Sequence, residues 1–363
     1  MAKVLVFGST SYLGTSLIRR LVQEGWQVYV YARRDSHLFL LREMLDKVHA
    51  VDSVSALGIG NIDAIVNFGF VKGDSSRSVV LKETKKMVEH ICETTTLLGP
   101  RILLQISSMA VFGNAGSFKP QVVKDQTKDD YADGKILAEN LILSTTFGPQ
   151  ILPVIVRLGN VMGEDAANWT GSIIDRILDL KPFTTNQNWG YSNVTYVHNI
   201  VDYLVNIMNS NSQLLQRMGH FHHLAEFSGV TWDRWLYPLC RALGVPSEYL
   251  SVPERAKGES VPGKLRLLKL VRSALNRPAL KGVSETIGDK LLRIPVLGSR
   301  AANFKSRIPY NLTLINGPSD VDLAFRQIIS APVEFKSHVI STWSPPNEFA
   351  GAMENILRAA NGY

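Results

Sequence analysis

Tyr131 and Lys135 stand four residues apart in the stretch Thr127-Lys-Asp-Asp-Tyr131-Ala-Asp-Gly-Lys135-Ile-Leu-Ala-Glu139. On a helix, side chains at i and i+4 are neighbours, so the ammonium lies beside the phenol and lowers its pKa from an unperturbed value of about 10. A phenol tuned in this way is a usable acid at neutral pH, which makes Tyr131 the candidate proton carrier and Lys135 its partner. The pattern alone is common, and a tyrosine and a lysine on a solvated helix face would read the same way. The segment upstream adds weight, because Arg101-Ile-Leu-Leu-Gln-Ile-Ser107-Ser108 is an apolar run ending in two hydroxyls. Ligands of open α/β sheets bind outside the C-terminal ends of the strands, where Ser107 and Ser108 would lie. Thr127, with Asp130 three residues later, has the form of a capping box and predicts a helix starting at about Lys128.

The elements that would position these groups begin at the N-terminus. Lys3 to Phe7 is a continuous apolar run of the kind buried in parallel sheets, followed by the turn Gly8-Ser-Thr10-Ser11-Tyr12-Leu13-Gly14 and a helix from Thr15 to Glu24. Such a turn lets backbone amides at a helix N-terminus meet a pyrophosphate, so Gly8, Thr10, Ser11, Tyr12, Leu13 and Gly14 are cofactor-binding candidates. Ser11 replaces the middle glycine of the usual spacing, and its hydroxyl could itself bond phosphate. A second strand, Gln27 to Tyr31, runs into Ala32-Arg33-Arg34, with the nearest acid, Asp35, after both arginines. No carboxylate ends that strand to repel a 2′-phosphate, so Arg33 and Arg34 favour NADP(H) over NAD(H). A third strand, Val48 to Val51, ends at Asp52, which could meet the adenine edge. A fourth ends in Asn67, Phe68 and Gly69, which complete the cofactor set, and a helix from about Ser78 to Leu97 leads into the fifth.

Taken together, Gly8-x-x-x-x-x-Gly14, Asp52, Ser107-Ser108-Met109-Ala-Val-Phe-Gly113, Tyr131-x-x-x-Lys135 and Arg157-Leu-Gly-Asn160-Val-Met-Gly163 resemble the extended short-chain dehydrogenase/reductase family, in its nucleotide-sugar epimerase and dehydratase branch. The resemblance spans Met1 to about Gly244. It implies an α/β fold: a Rossmann-type doubly wound parallel sheet with a smaller, mostly helical C-terminal substrate lobe. Residues 1–165 would form the NADP-binding domain, with late strands near 190–225 returning to it, and residues 166–363 would supply the lobe. Tyr131 would be the general acid/base, Lys135 would hold the nicotinamide ribose, and Ser108 would hydrogen-bond the reacting oxygen. Ser107 would support it at the substrate, or be a buried strand-end hydroxyl satisfied by backbone. Met109 would line the substrate site and Asn160 would touch substrate or serve as a turn residue. A homodimer through helices of the first lobe is implied as well.

Three departures narrow the chemistry. Met109 follows Ser108 where the family's sugar 4,6-dehydratases carry an Asp-Glu pair, so dehydration is disfavoured. The arginine that often binds substrate phosphate falls on Ser192 or Val194, and Val80 replaces an asparagine four residues before Thr84. The reading is an NADP(H)-dependent keto-reductase or epimerase of a nucleotide sugar, with reduction preferred. Alternatives are a reductase of a steroid-, flavonoid- or lipid-like carbonyl and, from another class, a non-catalytic dinucleotide sensor or RNA-binding relative.

Composition sets the remaining bounds. The chain has 363 residues, 45% apolar and 20% charged, with a net charge of +7. Residues 251–310 hold thirteen lysines and arginines against four acids, a patch that could attract a phosphorylated substrate, a membrane surface or nucleic acid. Cys92 and Cys240 read as reduced core residues, and no signal peptide or long apolar run is evident, so a cytoplasmic protein is expected. His220, His222 and His223 alternate along a late strand, which argues for packing rather than a metal site. Gly134 interrupts the catalytic helix and suggests close approach of a backbone or ligand.

Overall fold

The computed structural model describes residues 1–31, 41, 44–53, 62–71, 76–113, 127, 129–164, 166–179, 183, 189–250, 334, 337–339 and 343–360. Arg33, Arg34 and the basic stretch 251–310 lie outside them.

Apolar runs form a seven-stranded parallel sheet. Its strands are β1 (Lys3–Phe7), β2 (Gln27–Tyr31), β3 (Val48–Val51), β4 (Ala64–Asn67), β5 (Ile102–Ser108), β6 (Leu152–Leu158) and, after the short pair β7 (Asn160–Met162) and β8 (Val194–Tyr196), β9 (Phe221–Leu224). The order is β3-β2-β1-β4-β5-β6-β9, with Val4 in register with Val28 on one side and Ala64 on the other. The direction of winding therefore reverses between β1 and β4, the crevice where such sheets take ligands. Val4, Leu5, Val6, Ile65, Val66, Leu103 and Leu104 are fully buried, as strands covered on both faces must be.

Helices α1 (Tyr12–Gln23) and α5 (Val197–Asn209) pack on each other, while α2 (Arg77–Leu98) packs on α3 (Asp130–Ser144). Leu5, Phe7, Ile65 and Leu103 of the sheet share one apolar cluster with Val88 and Ile91 of α2 and Ala138 and Ile142 of α3. Gly99 ends α2 in the left-handed conformation, φ 59°, with its amide on the Thr95 carbonyl. The start of α3 differs from expectation. Asp129 is its cap and accepts from Tyr131 N at 2.9 Å. Thr127 is instead drawn to Asp133, whose Oδ1 accepts from the Thr127 hydroxyl at 3.0 Å, so the helix begins two residues later than the capping-box reading gave.

The chain divides into two compact units. Unit 1 comprises Met1–Val161, Asn193–Ser228 and Val333–Glu348; unit 2 comprises Met162–Ser192, Gly229–Pro332 and Phe349–Tyr363. In unit 1 the free side of β9 is met by an antiparallel bridge, with the His223 and His338 amides each donating to the other's carbonyl at 2.9 Å. The same returning segment places Trp343 Nε1 on Asp202 of α5 at 2.9 Å and pairs Asn347 N with Asn199 Oδ1 at 3.0 Å. The histidines are absorbed by packing. His222 meets the Tyr203 hydroxyl at 2.7 Å, His223 faces Arg157 at 3.5 Å, and His220 is exposed. After α6 (Ser212–Met218), which precedes β9, unit 2 supplies α7 (Trp232–Leu243) and α8 (Phe349–Ala360), along with the earlier α4 (Ser172–Leu178). Trp232 and Trp235 are fully buried there, and Trp235 Nε1 donates to Ser192 at 3.1 Å while its ring meets Phe349 edge-on at 4.8 Å. Among the described residues no helix is long and apolar enough to cross a membrane.

Candidate active site

The glycine turn is built for close backbone approach. Gly8 has φ +67°, and a Cβ there would lie 2.6 Å from the Gly69 amide at the end of β4. A Cβ on Gly14 would lie 2.5 Å from the Gly8 carbonyl. Between them, Ser11 caps α1: its hydroxyl accepts from Gly14 N at 3.1 Å. That engages the hydroxyl expected to reach phosphate and starts the helix at Tyr12, three residues before Thr15. Thr10, Tyr12 and Leu13 are partly exposed around the turn. A bare backbone surface at the N-terminus of a helix, beside two strand ends, fits a dinucleotide pyrophosphate. Asp52 is exposed at the end of β3, where an adenosine could reach it.

At the end of β4, Asn67 is fully buried and turned inward. Its Oδ1 accepts from Gly69 N at 2.7 Å and its Nδ2 donates to Gln105 at 2.7 Å. Asn67 thus shapes the turn at Phe68 and Gly69, and Phe68 is 7% exposed.

The residues expected to transfer a proton converge from β5 and α3. Ser108 ends β5 and opens a single helical turn, Met109–Phe112, accepting from Ala110 N at 3.2 Å. Its side chain faces Tyr131 and acts to lower that phenol's pKa. One turn along α3, Lys135 is 6% exposed and donates from Nζ to the Ile106 carbonyl at 3.0 Å, with the Tyr131 ring centre 5.8 Å away. Burial raises the Tyr131 pKa above its ordinary value, and Ser108 only partly offsets this. The expectation that Lys135 would lower it is corrected: its ammonium is turned to a carbonyl, and burial brings its own pKa down to about 8.

Beneath this pair lies a network with no local sequence signal. Glu139, one further turn along α3, accepts from Ser107 Oγ at 2.5 Å, from Arg157 Nε at 3.0 Å and from the Arg157 terminal nitrogen at 2.6 Å. The side chains of Arg157 and Glu139 are 0% and 2% exposed. Ser107 is therefore engaged inside the protein, away from the substrate contacts expected of it, and it positions the strand end that carries Ser108. A second tie, Arg77 to Asp133 at 2.6 Å, fixes the first turn of α3 to the start of α2. Glu139 was discoverable in principle from its place four residues after Lys135, but its partner Arg157 lies on a different element.

On the substrate side, Met109 is partly exposed beside Ser108. Asn160 is 6% exposed on β7, where its amide donates to the Asn193 carbonyl at 2.8 Å. The two positions considered for a phosphate-binding arginine, Ser192 and Val194, are both fully buried. Gly134 does not mark a close approach: a Cβ there would meet Val80 at 3.5 Å and Thr84 at 3.6 Å, ordinary contacts. No group of metal-binding side chains forms among the described residues.

Comparison with known proteins places this arrangement. The model of the NAD dependent epimerase/dehydratase family matches residues 4–213. No curated protein sequence matches the chain. Among solved structures, UDP-glucuronic acid 4-epimerase from Bacillus cereus in complex with NAD superposes with a TM-score of 0.56 at 16% identity, over 67% of this chain and 83% of that one. UDP-N-acetylglucosamine 4-epimerase from Methanobrevibacter ruminantium M1, in complex with UDP-N-acetylmuramic acid, gives 0.57 at 14% identity, over 71% and 87%. Human epimerase family protein SDR39U1 (isoform 2) with NADPH gives 0.52 at 16% identity, over 69% and 83%. At such identities the superpositions speak for the fold, a seven-stranded parallel sheet flanked by helices, while the family match covers more than half the sequence. The chain belongs to the NAD-dependent epimerase/dehydratase family, the extended short-chain dehydrogenases/reductases.

Proposed function

We propose that this protein is an NADP(H)-dependent oxidoreductase or epimerase that works at a hydroxyl-bearing carbon of a nucleotide-linked sugar, with reduction of a keto-sugar preferred. The observation that carries the reading is the convergence of Ser108, at the C-terminal end of β5, with Tyr131 in the first turn of α3 and with Lys135 one turn further on, whose ammonium lies 5.8 Å from the Tyr131 ring centre. Gly8, Ser11 to Gly14 and the turn at Asn67 to Gly69 would hold the dinucleotide, which supplies or accepts a hydride at its nicotinamide when bound. Ser108 holds the reacting oxygen by a hydrogen bond, and Tyr131 passes its phenolic proton to that oxygen as charge develops. Lys135, buried beside the phenol, supplies positive charge, and Glu139 favours that charged form. Met109 and Asn160 would contact substrate, and the bare α2 surface around Val79 and Leu97, 43% and 47% exposed, suits a homodimer. A cytoplasmic location completes the reading.

The second reading is a steroid-, flavonoid- or lipid-like carbonyl, favoured by Ser192 and Val194, which supply no arginine for a substrate phosphate at either position. Substituting Tyr131→Phe decides whether either holds: turnover is expected to fall at least about a hundredfold while dinucleotide still raises the melting temperature. Undiminished activity in that variant refutes the proton-donor assignment. Mass spectrometry of small molecules that co-purify with the protein separates the two substrate classes.

A further inference from the structure

Phe70 stands just beyond β4, and no sequence pattern singles it out. Its ring meets that of Tyr131 edge to face, with centroids 4.7 Å apart and planes at 72°. The Lys135 ammonium lies 5.3 Å from the centre of the same ring, within cation–π range. The turn that carries Phe70 is fixed from inside. Gly69 N donates to Asn67, Asn67 Nδ2 donates to Gln105, and Gln105 Nε2 donates to the Ile106 carbonyl at 2.9 Å. That carbonyl is the one that receives Lys135 Nζ at 3.0 Å. One buried chain of hydrogen bonds therefore runs from the backbone beside Phe70 to the lysine.

We propose that Phe70 is a positioning residue of the proton-transfer pair: its ring holds the Tyr131 phenol toward Ser108 and keeps water from the Lys135 ammonium. This rests on Tyr131 being the proton donor. With the β4 side of the phenol covered, a reacting oxygen meets Tyr131 from the side of Ser108, so the donor and the orienting hydroxyl reach the same atom. The groups facing Lys135 are Tyr131 and Glu139 on its own helix, the Ile106 carbonyl of β5 and the Phe70 ring. Glu139 and the carbonyl favour the ammonium, and burial opposes it. Phe70 is part of that apolar cover, so shortening its side chain admits water and moves the lysine toward ordinary behaviour.

The test reads Lys135 in the full-length chain with neither dinucleotide nor substrate. Lysines are labelled with heavy nitrogen at Nζ, the Lys135 resonance is identified by its loss in Lys135→Arg, and its titration is followed by NMR. Phe70→Ala is expected to raise the midpoint from about 8 by roughly half a pH unit or more, whereas Phe70→Tyr, which keeps the ring, leaves it in place. An unchanged midpoint in Phe70→Ala means that the ring merely packs, and overturns the proposal. Should the alanine variant not fold, Phe70→Val is read by the same criterion. The titration requires no turnover, so its failure is distinct from failure of the enzymatic reading. That reading is decided by Tyr131→Phe, and full activity in that variant overturns the proposal as well.

Discussion

Replacing Glu139 with alanine removes the carboxylate that meets the Arg157 guanidinium in the interior. The pair is closed by contacts of 2.6 and 3.0 Å, and neither side chain is more than 2% exposed. Arg157 keeps the ring faces of Phe112 at 4.9 Å and Phe221 at 4.2 Å, and His223 at 3.5 Å, but none of these carries negative charge. His223 in particular is neutral at pH 7, since burial and the adjacent arginine bring its pKa down to about 3. Breaking a buried pair by removing one partner costs about 3–5 kcal/mol, and Ser107 loses its acceptor, worth a further ~1–3 kcal/mol. The two losses share one cavity and do not simply add, so about 4 kcal/mol is expected. Removing both charges, Glu139→Leu with Arg157→Met, takes away the charge imbalance, leaves only the Ser107 hydroxyl without its acceptor and should recover more than half of that. Native-state hydrogen exchange of the β5 and β6 amides gives the local opening free energy directly, which avoids treating two units as one transition. A single-variant loss below ~1 kcal/mol, or a double variant weaker than the single one, would refute the view that the charge pair fixes the strand end beneath Ser108.

Lys135 gives a pH test of known sign. Its pKa falls from 10.5 to about 8 in the folded chain, so between those values the unfolded state holds more protons and stability rises with pH. The rise should approach about 2 kcal/mol between pH 8 and 10, and Lys135→Met should abolish it; an equal rise in both proteins in urea titrations contradicts the burial argument. Gly134→Ala should be tolerated with full activity and a gain of up to ~1 kcal/mol in helix propensity, since the added methyl meets only ordinary contacts; a fall in melting temperature would show that α2 and α3 cannot accommodate it. NADPH should raise the melting temperature more than NADH, and Arg33→Ala should erase the difference; equal shifts in the unsubstituted protein count against the 2′-phosphate reading.

The strands were the most legible part of the sequence. β1, β2 and β3 have the bounds their sequence runs predict; β1 is buried almost throughout and leaves a continuous apolar signal, while β2 alternates buried and partly exposed residues. Ser108, Tyr131 and Lys135 were legible for a related reason: a strand end and a helix spacing of four fix them locally. The cap of α3 was not, since Thr127 and Asp129 are both good capping residues and the choice was made by Asp133, which draws Thr127 away. The Glu139–Arg157 pair was not legible either, because Arg157 comes from β6, 18 residues on, and no local spacing announces the contact. The phenol pKa was misjudged because spacing reports the nearby charge but not the desolvation, which a linear pattern does not contain.

The bridge between His223 and His338 ties the order of synthesis to the order of folding. A ribosome delivers β1 to β6 first and β9 later, but the strip that lines the outer side of β9 comes more than a hundred residues after it. During that interval β9 offers unpaired amides and carbonyls to any passing chain, the template that drives edge-to-edge aggregation. Its histidines, Phe221 and Leu224 give it few charges with which to repel a neighbour. A nascent or truncated chain that stops short of His338 is thus expected to be sticky at this edge while its glycine turn is already formed, and truncations that remove the C-terminal return should fail by association rather than by loss of that turn.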